Sequence, residues 1–236
     1  MSQRSEEVKP SRDAETIVHL LRHGEVHNPA GVLYGRRPGF HLSELGNAMA
    51  QRVADTIGDR DIVHLRISPL ERVRETAAPL AAARGLEPVV DERVIESENC
   101  FEGRTFSNGW KTLLNPGTWR YLYNPFRPSW GEPYQQVSAR MRAAVLDARA
   151  AAEGHEAVVV SHQLPIWVTR LSAEGRPFLH DPRKRQCTLC SLTSLHFDGP
   201  RLVQVSYSEP AGDMLPRAQA AQPFSTGGAP EEKRPT

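Results

Sequence analysis

The chain has 236 residues, enough to bury one full-sized core and short for two. Its 29 Lys and Arg are balanced by 28 Asp and Glu, so the molecule as a whole has no electrostatic footprint for nucleic acid or a membrane surface, and any cationic site must be local. Apolar runs such as Ala157-Val158-Val159-Val160 are too short to span a bilayer. Residues 1–15 lack an apolar signal-peptide core, and an odd count of three cysteines argues against a disulfide framework. These features predict a cytoplasmic protein with a single domain over 15–208, preceded by a disordered lead-in (1–14) and followed by a disordered, Pro- and Ala-rich tail (209–236).

The first element is Thr16-Ile17-Val18-His19-Leu20-Leu21, an apolar, β-branched run that reads as a buried strand. It ends in Arg22-His23-Gly24, where a cation and an imidazole precede a residue that permits a tight turn. In open α/β sheets, reactive groups collect at the carboxyl ends of strands. An Arg beside a His there suits an anion that the guanidinium holds while the imidazole attacks or relays a proton. The loop 27–40 is rich in turn formers and lacks the Gly-Lys-Ser/Thr of a nucleotide P-loop; its Arg36 and Arg37 read as solvated residues near the mouth of a site. Ser43 then caps a helix with Leu45, Met49, Val53 and Ile57 on one face, ending near Gly58. Asp61 to Ile67 is a second strand. After it, Ser68 as cap and Pro69 at the first helical position predict a helix that carries Arg72 on the same sheet edge as His23.

Beyond a short strand at 87–90, several carboxylates between Asp91 and Glu102 lie near Val94, Ile95 and Phe101, a setting in which burial could raise one of them into a general acid, and the pattern alone does not choose among them. Residues 106–130 are unusually aromatic and read as an inserted lid (about 104–132) or a satellite hydrophobic cluster. A helix over about 133–153 leads to a third strand, 156–160, which ends in Ser161-His162 and passes into a helix over 164–173. A basic loop, His180 to Arg185, reads as a solvated rim that could meet a second phosphate on a substrate. Cys187 and Cys190 have the gap of a metal or redox pair, but no second pair follows, so zinc or thioredoxin-like chemistry is not expected. Asp198-Gly199 joins two closing strands as a hairpin.

Three strand or helix starts on one edge thus deliver Arg22, His23, Arg72 and His162. The segments Leu21-Arg22-His23-Gly24-Glu25, Leu42-Ser43-Glu44-Leu45-Gly46, Ser68-Pro69-Leu70-Glu71-Arg72 with Glu75-Thr76-Ala77, and Val160-Ser161-His162 together resemble the histidine phosphatase superfamily, which includes the cofactor-dependent phosphoglycerate mutases. The resemblance implies an α/β fold, a three-layer αβα sandwich around a mostly parallel sheet. It implies His23 as a nucleophile that becomes a phosphohistidine, with Arg22, Arg72 and a protonated His162 on the phosphoryl oxygens. Asn28 and Gln163 are further candidate phosphate contacts, although Asn28 stands one position before the family's usual Asn. Glu96, in Val94-Ile95-Glu96, is the candidate acid, with Glu102 and Glu98 behind it. No metal or cofactor is expected, and the partner is a small phosphorylated substrate. The expected activity is phosphomonoester hydrolysis. Mutase-type phosphotransfer and a silent phospho-ligand binding protein are the alternatives.

Overall fold

Alternation along two neighbouring strands organises the molecule. In β1 (Thr16–Arg22) Leu21 joins one core cluster while Val18 and Leu20 join the other; in β4 (Glu156–Ser161) Val158 and Val160 face the first while Ala157 and Val159 face the second. A strand buried on both faces needs apolar residues at successive positions, which is why these runs lack polar alternation. The computed structural model describes residues 15–99, 102–103, 131–181 and 184–215. The expected lead-in, the aromatic segment 106–130, Arg183 and the tail beyond residue 215 lie outside the described residues.

The remaining strands are β2 (Ile62–Ile67), β3 (Val89–Val90), β5 (Leu192–Asp198) and β6 (Arg201–Ser208). They form one six-stranded sheet in the order β3-β2-β4-β1-β5-β6. The pairs β3-β2, β2-β4 and β4-β1 are parallel, whereas β5 and β6 form an antiparallel hairpin on the β1 side. Helices α1 (Glu44–Ile57) and α2 (Glu71–Arg84) cover one face; α3 (Tyr134–Ala151) and α4 (Gln163–Ala173) cover the other. This is the expected three-layer α/β sandwich. Among the described residues no helix is long and apolar enough to cross a membrane.

The parallel order matters for chemistry because it sends β1, β2 and β4 out on one edge, so the residues that follow them are neighbours. Register reinforces this: Arg22 lies opposite Ser161, one residue before His162. Two expectations change. Helix α2 begins at Glu71 behind Leu70, with no side-chain cap, because the Ser68 hydroxyl bonds the His162 ring and Pro69 stays in the preceding loop. Residues 209–215, assigned to the tail from composition, pack on the domain instead. Ala211 is fully buried in the α1/α2 core, Met214 and Leu215 lean on that core, and Asp213 meets Arg52.

The segment after β3 is fixed by Asp91, which caps the 3₁₀ turn Glu92–Val94 through the Arg93 N–H and pairs with Arg66 and Arg93. Burial pushes its carboxyl up, but the hydrogen bonds from Arg93 and Arg66 prevail and hold it down at about 2. A carboxyl depressed in the folded state contributes stability that is complete above its unfolded value and is lost as pH falls through the folded one. Asp91 should therefore supply about 2 kcal/mol that disappears between roughly pH 4 and pH 2. Urea unfolding across that range should show a shallower pH slope for Asp91→Asn than for the wild type; equal slopes would contradict the assignment.

Candidate active site

The site is built from the end of β1 outward. The Arg22 N–H donates to the Ser191 carbonyl (3.1 Å), the His23 N–H to the Ser161 carbonyl (3.1 Å), and the Cys190 N–H to the His23 carbonyl (3.4 Å), so β4 and the turn before β5 hold the dipeptide. The Gly24 N–H donates to Thr76 Oγ1 (3.0 Å), whose hydroxyl donates to the Arg72 carbonyl (2.7 Å), tying the turn to α2. The start of α1 packs directly on that turn. A Cβ on Gly46 would stand 2.0 Å from the Glu25 carbonyl oxygen, and one on Gly24 would stand 2.7 Å from the Gly46 carbonyl oxygen. Both positions therefore require glycine. Ser43 holds the contact from either side, accepting from the Gly46 N–H (3.0 Å) and donating to Glu25 Oε2 (2.6 Å).

His23 is buried, and its Nδ1 lies 2.8 Å from the Gly24 carbonyl. A carbonyl only accepts, so Nδ1 carries the proton and Nε2 keeps a lone pair. Burial, then Arg72 and Arg22, hold the imidazole well below its ordinary pKa, against a smaller upward pull from Gly24. The ring stands edge-on to His162, with centroids 5.3 Å apart.

The cationic wall comes from two fully enclosed guanidiniums. Arg22 donates Nη1 to the Cys187 carbonyl (2.7 Å). Arg72 donates Nη2 to the Gly35 carbonyl (2.7 Å) and to His162 Nδ1 (3.2 Å), and lies over the Tyr34 ring at 4.7 Å. Three buried nitrogens, Arg22 Nε and Arg72 Nε and Nη1, have no hydrogen-bond partner among the described residues. Leaving charged donors buried and unpaired is costly, so such atoms call for an anionic acceptor.

His162 is also enclosed. Its Nδ1 accepts from Arg72, so its Nε2–H donates to Ser68 Oγ (2.9 Å), and the ring is neutral. Burial, then Arg72, His23, Arg140 and Arg22, lower its pKa well below the usual value. The imidazole is neutral in this arrangement, whereas the resemblance implies a protonated one on a bound phosphoryl group.

Of the three candidate carboxylates, Glu96 is the one beside the imidazoles, with Oε2 4.0 Å from His162 Nδ1. Burial raises its pKa, against the Ser97 N–H, Arg72, Arg22 and Arg185. Glu98 is exposed and pairs with Arg36, while Glu102 accepts the Arg36 backbone N–H beside Gly35.

Asn28 does not face this cluster with a free amide: its Oδ1 accepts from the Val32 N–H (3.0 Å) and its Nδ2 donates to the Val32 carbonyl (2.8 Å), which braces the loop. Among the described residues Gln163 donates to the Cys187 carbonyl, at 3.5 Å. Cys187 and Cys190 contribute backbone rather than sulfur. Burial pushes both thiols up, that of Cys190 to about 12, and among the described residues no group of three His, Cys, Asp or Glu side chains could hold a metal ion. Cys190 instead takes the left-handed conformation (φ 54°) that aims its N–H at the His23 carbonyl.

Several neighbours of the site were not legible as such in the sequence. Tyr34 lies under Arg72 with nothing in its local pattern to mark it, and Ser68, which reads as a helix cap, bonds the His162 ring. Arg36, read as solvated, instead donates Nε to the Glu96 carbonyl (2.6 Å).

Comparison with known proteins agrees with this geometry. The model of the histidine phosphatase superfamily (branch 1) matches residues 18–210. The uncharacterized protein Rv0525 of Mycobacterium tuberculosis is 56% identical over 197 residues, covering 84% of this chain and 98% of that protein. The probable phosphoglycerate mutase GpmB of an Enterobacter species is 27% identical over 205 residues, covering 84% and 93%. The structure of mycobacterial glucosyl-3-phosphoglycerate phosphatase Rv2419c complexed with VO3 superposes with a TM-score of 0.63 at 26% identity, covering 76% of this chain and 92% of that one. With a family match running from β1 past β6, the chain belongs to the histidine phosphatase superfamily, in its branch 1.

Proposed function

We propose that the protein is a metal-independent phosphatase that hydrolyses a small phosphomonoester through a phosphohistidine on His23. The observation that carries this reading is the pairing of a neutral His23, whose Nδ1 is engaged by the Gly24 carbonyl, with buried guanidinium N–H groups that lack acceptors among the described residues. Phosphoryl transfer is dominated by positioning and by stabilisation of charge on the equatorial oxygens, and unpaired donors of Arg22 and Arg72 are suited to both. A phosphate dianion placed among these groups would raise the pKa of His162, which favours the protonated imidazole that the resemblance implies.

His23 Nε2 attacks phosphorus in line as the bond to the departing oxygen breaks, and the Glu96 carboxyl gives its proton to that oxygen. Water then attacks the phosphohistidine and the Glu96 carboxylate takes the water's proton. The P–N bond breaks, and inorganic phosphate leaves a neutral His23. Burial raises the Glu96 pKa, which favours the protonated carboxyl that the first role requires.

His23→Ala should abolish turnover while leaving the folded circular-dichroism signal, and the acid-labile phosphoenzyme trapped from the wild type should be missing in the variant. Wild-type turnover in His23→Ala, or no phosphoenzyme in an active wild type, would overturn the reading. Incubation with EDTA should leave the rate unchanged, because the guanidiniums supply the charge; loss that a divalent ion restores would contradict this. Relatives named probable phosphoglycerate mutase favour a second reading, isomerisation on the same residues. Incubation with 3-phosphoglycerate separates the two: hydrolysis predicts inorganic phosphate, whereas accumulation of 2-phosphoglycerate would favour the mutase.

A further inference from the structure

Glu96 sits after the 3₁₀ turn Glu92–Val94, outside any helix or strand, so neither a helix nor the sheet sets the position of its carboxyl. Side chains from two directions hold its backbone instead. Arg140, on α3, donates Nη1 to the carbonyls of Arg93 and Ile95, each at 2.7 Å. From the loop that follows β1, Arg36 donates Nε to the Glu96 carbonyl at 2.6 Å. The two guanidiniums converge on one carboxylate: Arg140 grips Glu132 with Nε and Nη2, both at 2.8 Å, and Arg36 reaches Glu132 Oε2 with Nη2 at 3.1 Å. Glu132 is anchored in turn, its N–H donating to the Glu98 carbonyl at 3.3 Å. The Glu132 and Arg140 side chains are only 12% and 16% exposed, so these charge-assisted bonds are shielded from the screening that weakens surface pairs.

The same loop also touches the phosphate cradle. Gly35, next to Arg36, supplies the carbonyl that holds Arg72 Nη2. One short stretch of chain thus ties the cation that faces His162 to the carbonyl of the acid.

We propose that Arg36, Glu132 and Arg140 form a bracket of positioning residues that sets where the Glu96 carboxyl meets the departing oxygen. The proposal rests on the role given to Glu96 above. A bracket of this kind affects proton delivery and leaves phosphoryl binding alone, since none of its members contacts His23 or Arg22 among the described contacts. Its signature is therefore dependence on the leaving group. An alkoxide needs a proton to depart, whereas 4-nitrophenolate leaves readily without one.

The test compares kcat/KM, which reports steps up to departure of the leaving group, on glycerol 3-phosphate and on 4-nitrophenyl phosphate. Two variants are used. Arg140→Lys keeps the positive charge whose field reaches His162 but loses the two-carbonyl grip, and Glu132→Gln keeps the shape but withdraws the charge on which the arginines converge. If one of them does not fold, the other carries the comparison. Each should lower kcat/KM on glycerol 3-phosphate roughly tenfold and on 4-nitrophenyl phosphate by no more than about twofold, because a misplacement on the order of 1 Å is enough to cost such factors. In a Glu96→Gln background neither should cause a further loss. Equal losses on the two substrates, or a full additional loss in the Glu96→Gln background, would overturn the bracket while leaving the acid in place. Wild-type rates on glycerol 3-phosphate for Glu96→Gln itself would remove the acid assignment, and the bracket with it.

Discussion

A single hydrogen bond, from Nδ1–H of His23 to the carbonyl of the next residue, underlies the proposed chemistry. It fixes which nitrogen carries the proton, and so which one presents a lone pair. The surrounding architecture keeps that geometry in place: β4 and the turn before β5 pin the backbone of Arg22 and His23, Thr76 fixes the Gly24 N–H, and Gly46 lets α1 close over the turn. The two clusters of aliphatic side chains on either face of the sheet supply the stabilisation against which buried, partly unpaired guanidiniums are tolerated.

The same burial acts in opposite directions on the groups it encloses. Desolvation disfavours a charged imidazole, so His23 and His162 are driven toward the neutral form. It also disfavours a carboxylate, so Glu96 is driven toward the protonated one. An imidazole driven toward its neutral form and a carboxyl driven toward its protonated form suit a proposed reaction in which one attacks and the other protonates. The guanidiniums of Arg22 and Arg72 provide the fixed positive field.

Much of this was legible in the sequence because strand ends are. Buried runs terminating in Arg22-His23-Gly24 and Ser161-His162 announce side chains on one sheet edge, and Ser43 with the periodic apolar residues after it announces α1. What could not be read were contacts formed by residues with no periodic or spacing signature. Arg36 has the composition of a solvated loop residue, and its grip on the Glu96 carbonyl depends on a chain segment sixty residues away. Ser68 has the chemistry of a helix cap, but His162 competes for its hydroxyl and prevails. The neutral state of His162 follows from an Arg72 donor that only the folded arrangement brings within reach. Residues 209–215 look like tail by composition, yet Ala211 fills a space in the core that only tertiary structure creates.

The central claim is that Arg22, His23, Arg72 and His162 define one volume the size of a phosphoryl group. A crystal structure with orthovanadate tests it most directly, since five-coordinate vanadate mimics the geometry of in-line transfer. The account predicts a trigonal bipyramid with His23 Nε2 as an axial ligand, equatorial oxygens held by Arg22, Arg72 and His162, and the Glu96 carboxyl on the opposite apical oxygen. Vanadate bound elsewhere, or bound here without a bond to His23 Nε2, would contradict it.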